Sequence, residues 1–120
     1  MAGEVHKILI LLKRRPGMTV EEFRDYYETR HRPLVAKYSS RALCYYARRY
    51  LDPLPHVDTK ELTEPEFDVI TELWFDRKDA FDGMVRLVRE GSLPRDVLAD
   101  EERVFDRAKT RYVCLTECVG

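Results

Sequence analysis

The sequence predicts an α+β fold whose elements follow as β-α-β-β-α-β, with an extra short helix before the last strand. Three observations predict it. Four stretches rich in Ile, Leu, Val, Phe and Tyr have the length of strands, two others place apolar residues three or four apart, and Pro, Gly and Asp punctuate the joins. With 120 residues, 36% charged and 44% hydrophobic, the chain suits a single domain over 1–120 and does not have the composition of a disordered tail.

Val5 to Lys13 is dominated by Ile and Leu and ends at Arg14-Arg15-Pro16-Gly17, where Pro-Gly signals a turn; this is the first strand. Thr19 stands three residues before Glu22, a capping-box spacing, and opens a helix. Val20, Phe23, Tyr27, His31 and Leu34 fall on one stripe of it, and Pro33 is expected to kink or break it near Arg32. Ala42 to Leu51 carries Leu43, Cys44, Tyr45, Tyr46 and Tyr50 and forms the second strand. Asp52 to Pro65, rich in Pro, Asp, Glu and Thr, reads as a surface loop.

Phe67 to Phe75 alternates, with Phe67, Val69, Thr71, Leu73 and Phe75 on one face and Asp68, Ile70, Glu72 and Trp74 on the other. A helix follows from Asp76 or Lys78-Asp79, with Phe81, Met84, Val85 and Val88 as its inner stripe and Gly91 at its end. A shorter helical piece after Pro94 and a last strand over Lys109 to Val119 complete the order, which is the split βαβ pattern of the ferredoxin-like fold. A sheet covered by helices on one side leaves apolar residues on its other face, so a homodimer is expected, two sheets packing into a dimeric α/β barrel.

Composition narrows the function classes. The 21 Lys and Arg balance 22 Asp and Glu for a net charge of −1, and no block of like charge exceeds the three residues Lys13-Arg14-Arg15, so nucleic acid is not an expected partner. Apolar runs such as Ile8 to Leu12 fall far short of the roughly 20 residues of a membrane helix. Met1-Ala2-Gly3-Glu4 includes an acid and lacks the pattern of a signal peptide, so a cytoplasmic protein without membrane contact is expected. Cys44, Cys114 and Cys118 fit neither a disulfide framework nor zinc spacing and read as small core residues. With no His-x-His, HExxH, P-loop, GxGxxG or GxSxG, neither a metal nor a nucleotide cofactor is expected.

His31 is the sharpest chemical signal, since it takes a stripe position one turn after Tyr27 where leucine would pack better, and imidazole titrates near neutral pH. It is either a hydrogen-bonded core histidine beside Pro33 or a proton-transfer residue. Glu72, in the middle of the third strand, needs a partner such as Arg48 or Arg49, or else is a carboxyl working in a pocket with His31. Tyr27, Tyr45, Tyr46, Tyr50, Tyr112 and Trp74 are numerous for a short chain, and would suit a flat aromatic or polyketide-like ligand if they line a cavity. His6 and His56 are weaker candidates, the latter expected in solvent.

Lys13-Arg14-Arg15-Pro16-Gly17-Met18-Thr19, then Glu22-Phe23, Tyr26-Tyr27-Glu28 and His31-Arg32-Pro33-Leu34, resemble the opening signature of the EthD family, named for a protein of ethyl tert-butyl ether degradation. The similarity continues through Tyr45 to Tyr50, Phe67 to Phe75 and Asp100 to Arg107. It implies a dimeric α/β barrel of ferredoxin-like protomers. Relatives in that superfamily include cofactor-independent polyketide cyclases, muconolactone isomerases, heme-free anthrone-type monooxygenases and fungal decarboxylases or dehydratases. The resemblance maps the family's helix histidine onto His31 and its strand-three acid onto Glu72, and heme is not carried over.

These readings lead to an expected cofactor-independent enzyme of the lyase or cyclase type, acting on an aromatic polyketide-like or lactone-like small molecule by proton transfer. His31 and Glu72 would be catalytic, with Tyr27, Tyr46, Tyr50, Trp74 and Arg48 binding substrate. The alternatives are a cofactor-free monooxygenase of phenolic substrates and a non-catalytic small-molecule-binding accessory protein.

Overall fold

A computed structural model describes residues 4–120. Met1 to Gly3, on which part of the signal-peptide expectation rests, lie outside the described residues. The chain folds as β1 (His6–Leu12), α1 (Val20–Tyr26), a π-helical turn (Tyr27–His31), α2 (Arg32–Ala36), β2 (Leu43–Tyr50), β3 (Val69–Phe75), α3 (Lys78–Glu90), α4 (Arg95–Val104), a short 3₁₀ turn (Arg107–Lys109) and β4 (Arg111–Cys114). The sheet has four strands in the order β2-β3-β1-β4, and all neighbours are antiparallel.

Alternation along β3 sorts the molecule into two sides. Val69, Thr71, Leu73 and Phe75 are buried, while Ile70, Glu72 and Trp74 between them are half-buried. The buried set joins Ile8, Ile10 and Leu12 of β1, Phe23 and Tyr27 of the first helix, and Val104 and Phe105 at the end of α4 in one core. The opposite face carries no helix, and its strand register sets Leu9 beside Glu72 and Val113, Leu11 beside Ile70, and Tyr45 beside Trp74.

The Thr19 and Glu22 capping box forms as the spacing predicts, each side chain bonding the other's backbone N–H. Gly91 ends α3 in the left-handed conformation at φ 64°, where a residue with a Cβ would be strained.

Two expectations are corrected and one is sharpened. The irregularity expected of Pro33 near Arg32 takes the form of a widened turn and not of a break. The chain widens before the proline, with the Arg32 N–H donating to the Tyr27 carbonyl five residues back. Pro33 has no N–H for the next carbonyl, that of Glu28, and the Arg32 side chain supplies the donor instead, Nε to O at 3.3 Å. The last strand is far shorter than Lys109 to Val119, because pairing with β1 runs only from Arg111 to Cys114. All three cysteines are exposed instead of sitting in the core. Cys44 lies at the bulge where β2 slips against β3, Cys114 at the edge strand's end and Cys118 beyond it.

Candidate functional site

His31 sits in the π-helical turn with only 3% of its surface exposed, and its Nδ1 lies 2.9 Å from Asp100 Oδ2. Helix α4 brings this carboxylate inward because Val97, Asp100, Glu101 and Val104, all buried, follow the i, i+3, i+4, i+7 spacing of one helix face. The other oxygen of Asp100 accepts from the Tyr26 hydroxyl at 2.5 Å and from Arg103 at 3.5 Å. The His31 ring stands edge-on to Tyr27 at 5.5 Å and to Phe105 at 5.1 Å, which fixes its plane.

Burial pushes the His31 pKa below its ordinary value, and the Asp100 hydrogen bond and charge oppose that only in part. Burial alone would raise the Asp100 carboxyl. The hydrogen bonds from Tyr26 and His31 and the charges nearby outweigh it, and the group lies below the usual carboxylate range. At neutral pH the pair is therefore a neutral imidazole beside a carboxylate. Hydrogen-bond logic assigns the proton to Nδ1, which leaves the lone pair on Nε2, an atom with no hydrogen bond to any described residue.

Tyr27 joins this pair to a second polar cluster. Its hydroxyl lies 2.6 Å from Thr71 Oγ1 and 3.3 Å from the Tyr46 hydroxyl. The Arg48 guanidinium stands over the Tyr46 ring at 4.9 Å and clamps Glu28 with two bonds of 2.8 and 2.7 Å, while the Tyr50 hydroxyl donates to Glu28 at 2.6 Å. The Arg48 bonds hold the Glu28 carboxyl low against its partial burial, with help from Tyr50. Burial raises the phenols of Tyr27, Tyr46 and Tyr50, so all three stay protonated and remain donors.

Five of the seven expected site residues, His31, Tyr27, Tyr46, Tyr50 and Arg48, thus gather on the helix-covered side. Glu72 and Trp74 do not. The parity of β3 places them on the open face, where Glu72 pairs with Arg49 Nη2 at 3.3 Å and Trp74 lies 4.4 Å from the Tyr45 ring with the Lys7 ammonium 4.2 Å above it. Glu72 therefore has the ion-pair partner weighed for it, and the structure does not bring it to His31. His6 stacks against Phe81 at 5.4 Å, and His56 is exposed in its loop, accepting from the Asp58 and Thr59 N–H groups.

Sequence reading missed Asp100 and Glu28. Asp100 carried a signal: two carboxylates at the inward positions of a stripe that Val97 and Val104 define, where apolar residues are expected. Glu28 carried none, because its partners come from a strand 20 and 22 residues away. Among the described residues no three His, Cys, Asp or Glu side chains come together in a metal-binding group, and no helix is long and apolar enough to cross a membrane.

A family model described as the EthD domain matches residues 15–108. No curated protein matches the chain.

Proposed function

The chain belongs to the EthD family, and from that premise we propose that it is a cofactor-independent enzyme that moves a proton on an oxygenated aromatic, polyketide-like or lactone-like molecule. The observation that carries this reading is the His31 to Asp100 contact of 2.9 Å, formed away from water and backed by the Tyr26 hydroxyl. His31 Nε2 would take a proton from a carbon acid or phenol, and the imidazolium so formed would be stabilised by Asp100, which also holds the tautomer that keeps Nε2 basic. Elimination of water, ring closure or double-bond migration can each follow from that carbanion or phenolate, whereas in a decarboxylation the imidazolium would give its proton to the carbanion left when carbon dioxide departs. The site argues a proton transfer and leaves the bond broken to the substrate.

We read the strand order β2-β3-β1-β4 with helices on one face as ferredoxin-like, and the open face as a homodimer contact. Leu9, Leu11 and Ile70, only half-buried on that face, support this, since a second copy would complete their burial.

The test is carbon-bound hydrogen exchange in D₂O, followed by NMR on a panel of aromatic β-keto acids, β-hydroxy ketones and lactones. The wild type is expected to exchange or convert at least one class, with a rate that falls only below pH 6.5 because burial depresses the His31 pKa. His31→Gln should lose roughly 10²–10⁴-fold while its Tm stays within a few degrees, and full activity in that variant would overturn the role. Oxygen consumed with turnover would instead indicate the monooxygenase, and binding without exchange an accessory protein.

A further inference from the structure

Helix α3 is incompletely covered. None of its residues is buried, although Phe81, Met84, Val85 and Val88 form one apolar stripe. The helix packs on β1 and β3, while β4 beside β1 is paired over only four residues. Two adjoining cavities of about 180 and 520 Å³ lie between α3 and β4 and share Val85, Arg89 and Cys114. The smaller is walled by Ile8, Val88 and Tyr112, and the larger opens past Arg86.

The polar groups of this cleft are unequal. Arg86 and Arg89 form no ion pair or hydrogen bond among the described residues, and neither does the Tyr112 hydroxyl. Of the two carboxylates on the rim, Asp82 is held by Lys78 at 2.9 Å, which leaves Glu90 against two guanidinium groups that have no partner among the described residues. The cleft thus offers an apolar end the width of one or two rings, with the Tyr112 ring in its wall, and net positive charge at the mouth. It lies over β1 and β4, at the other end of the sheet face from the His31 cluster, which packs over β2 and β3.

We propose that the cleft between α3 and β4 is a second binding site, for a small amphipathic carboxylate whose ring or short chain enters between Ile8, Val88 and Tyr112 and whose anionic group meets Arg86 and Arg89. The site does not depend on His31.

The test uses naphthalene-2-carboxylate and the neutral 2-naphthylmethanol as probes, titrated into the ¹⁵N-labelled full chain. The acid is expected to shift the amides of Val85, Val88, Val113 and Cys114 saturably, and to bind about tenfold more tightly than the alcohol, as one charge-assisted contact predicts. Arg89→Gln, an exposed substitution, should remove most of that preference, and His31→Gln should leave it intact. Bound acid should also slow alkylation of Cys114 relative to Cys44 in the unmodified chain, a readout that needs no variant. Equal affinity for acid and alcohol, a preference that survives Arg86→Gln together with Arg89→Gln, or shifts centred on Trp74 or His31 would overturn the proposal. So would the absence of saturable binding.

Discussion

The two faces of the sheet share every strand and differ in how their polar groups are settled. Toward the helices, Thr71 is buried and satisfied by Tyr27 at 2.6 Å, and His31 is buried and satisfied by Asp100. On the open face, Glu72 is one residue from Thr71 yet lies with Arg49, a partner 54% exposed, and the Trp74 N–H has none among the described residues. One face is a finished interior in which each of these polar groups has a partner. The other stays half-buried, and a second copy is proposed to cover it. A single step along β3 moves a side chain from one to the other, so the face a residue occupies outranks its chemical type in deciding what it can do.

The largest effect that would sharpen this contrast is in packing. Phe23, fully buried against Tyr27, Tyr50 and Phe105, should cost about 3–5 kcal/mol when cut to alanine. Leu11→Ala on the open face should cost about 1 kcal/mol in dilute monomer, measured by urea unfolding. Equal costs would erase the distinction between the faces.

Next in size is oligomeric state. Leu11→Arg should shift sedimentation from dimer to monomer while leaving the fold intact by circular dichroism. A wild type that sediments as a monomer at high concentration would remove the reason for the half-buried leucines.

Glu101 tests the closed side more finely. Burial, opposed by Arg107 and reinforced by Asp100, raises its carboxyl from 4.5 to about 6. The folded state then binds the proton more tightly than the unfolded chain, so this group's stabilisation is complete below pH 4.5 and is lost as pH rises through about 6. Glu101→Gln should therefore raise the unfolding free energy by about 1–2 kcal/mol at pH 7 and change it little at pH 4. A loss of stability at pH 7 would contradict the sign.

The smallest effect belongs to Glu72. Glu72→Gln should alter stability by no more than about 0.5 kcal/mol and leave proton exchange unchanged, since it removes one open-face ion pair. A large loss of turnover would move the site to the other face.

Much of this was legible in the residues. Alternation named both faces of β3 correctly over Val69 to Phe75 but misplaced Asp68, which lies before the strand and is buried against Arg14. The helical stripe through Phe23, Tyr27 and His31 named three buried side chains. What periodicity does not encode is which partners meet across the fold. Asp100 is 69 residues from His31, and Arg48 turned to Glu28 while its neighbour Arg49 took Glu72. The same alternation that placed Glu72 opposite Thr71 already separated it from His31, and only the assignment of the helices to one face turns that into a conclusion. The cysteines misled because a small apolar side chain fits an edge or a bulge as readily as a core.

The π-helical turn before Pro33 has a consequence in chain length. A bond that reaches five residues back encloses one more residue than an α-helical turn, so α1 and α2 would keep their angular phase if one residue between Tyr27 and His31 were deleted. The helix would become more regular and lose its division of labour. The surplus residue lets one turn point Glu28 at β2 and His31 at α4, so the length of this short segment is set by two neighbours at once.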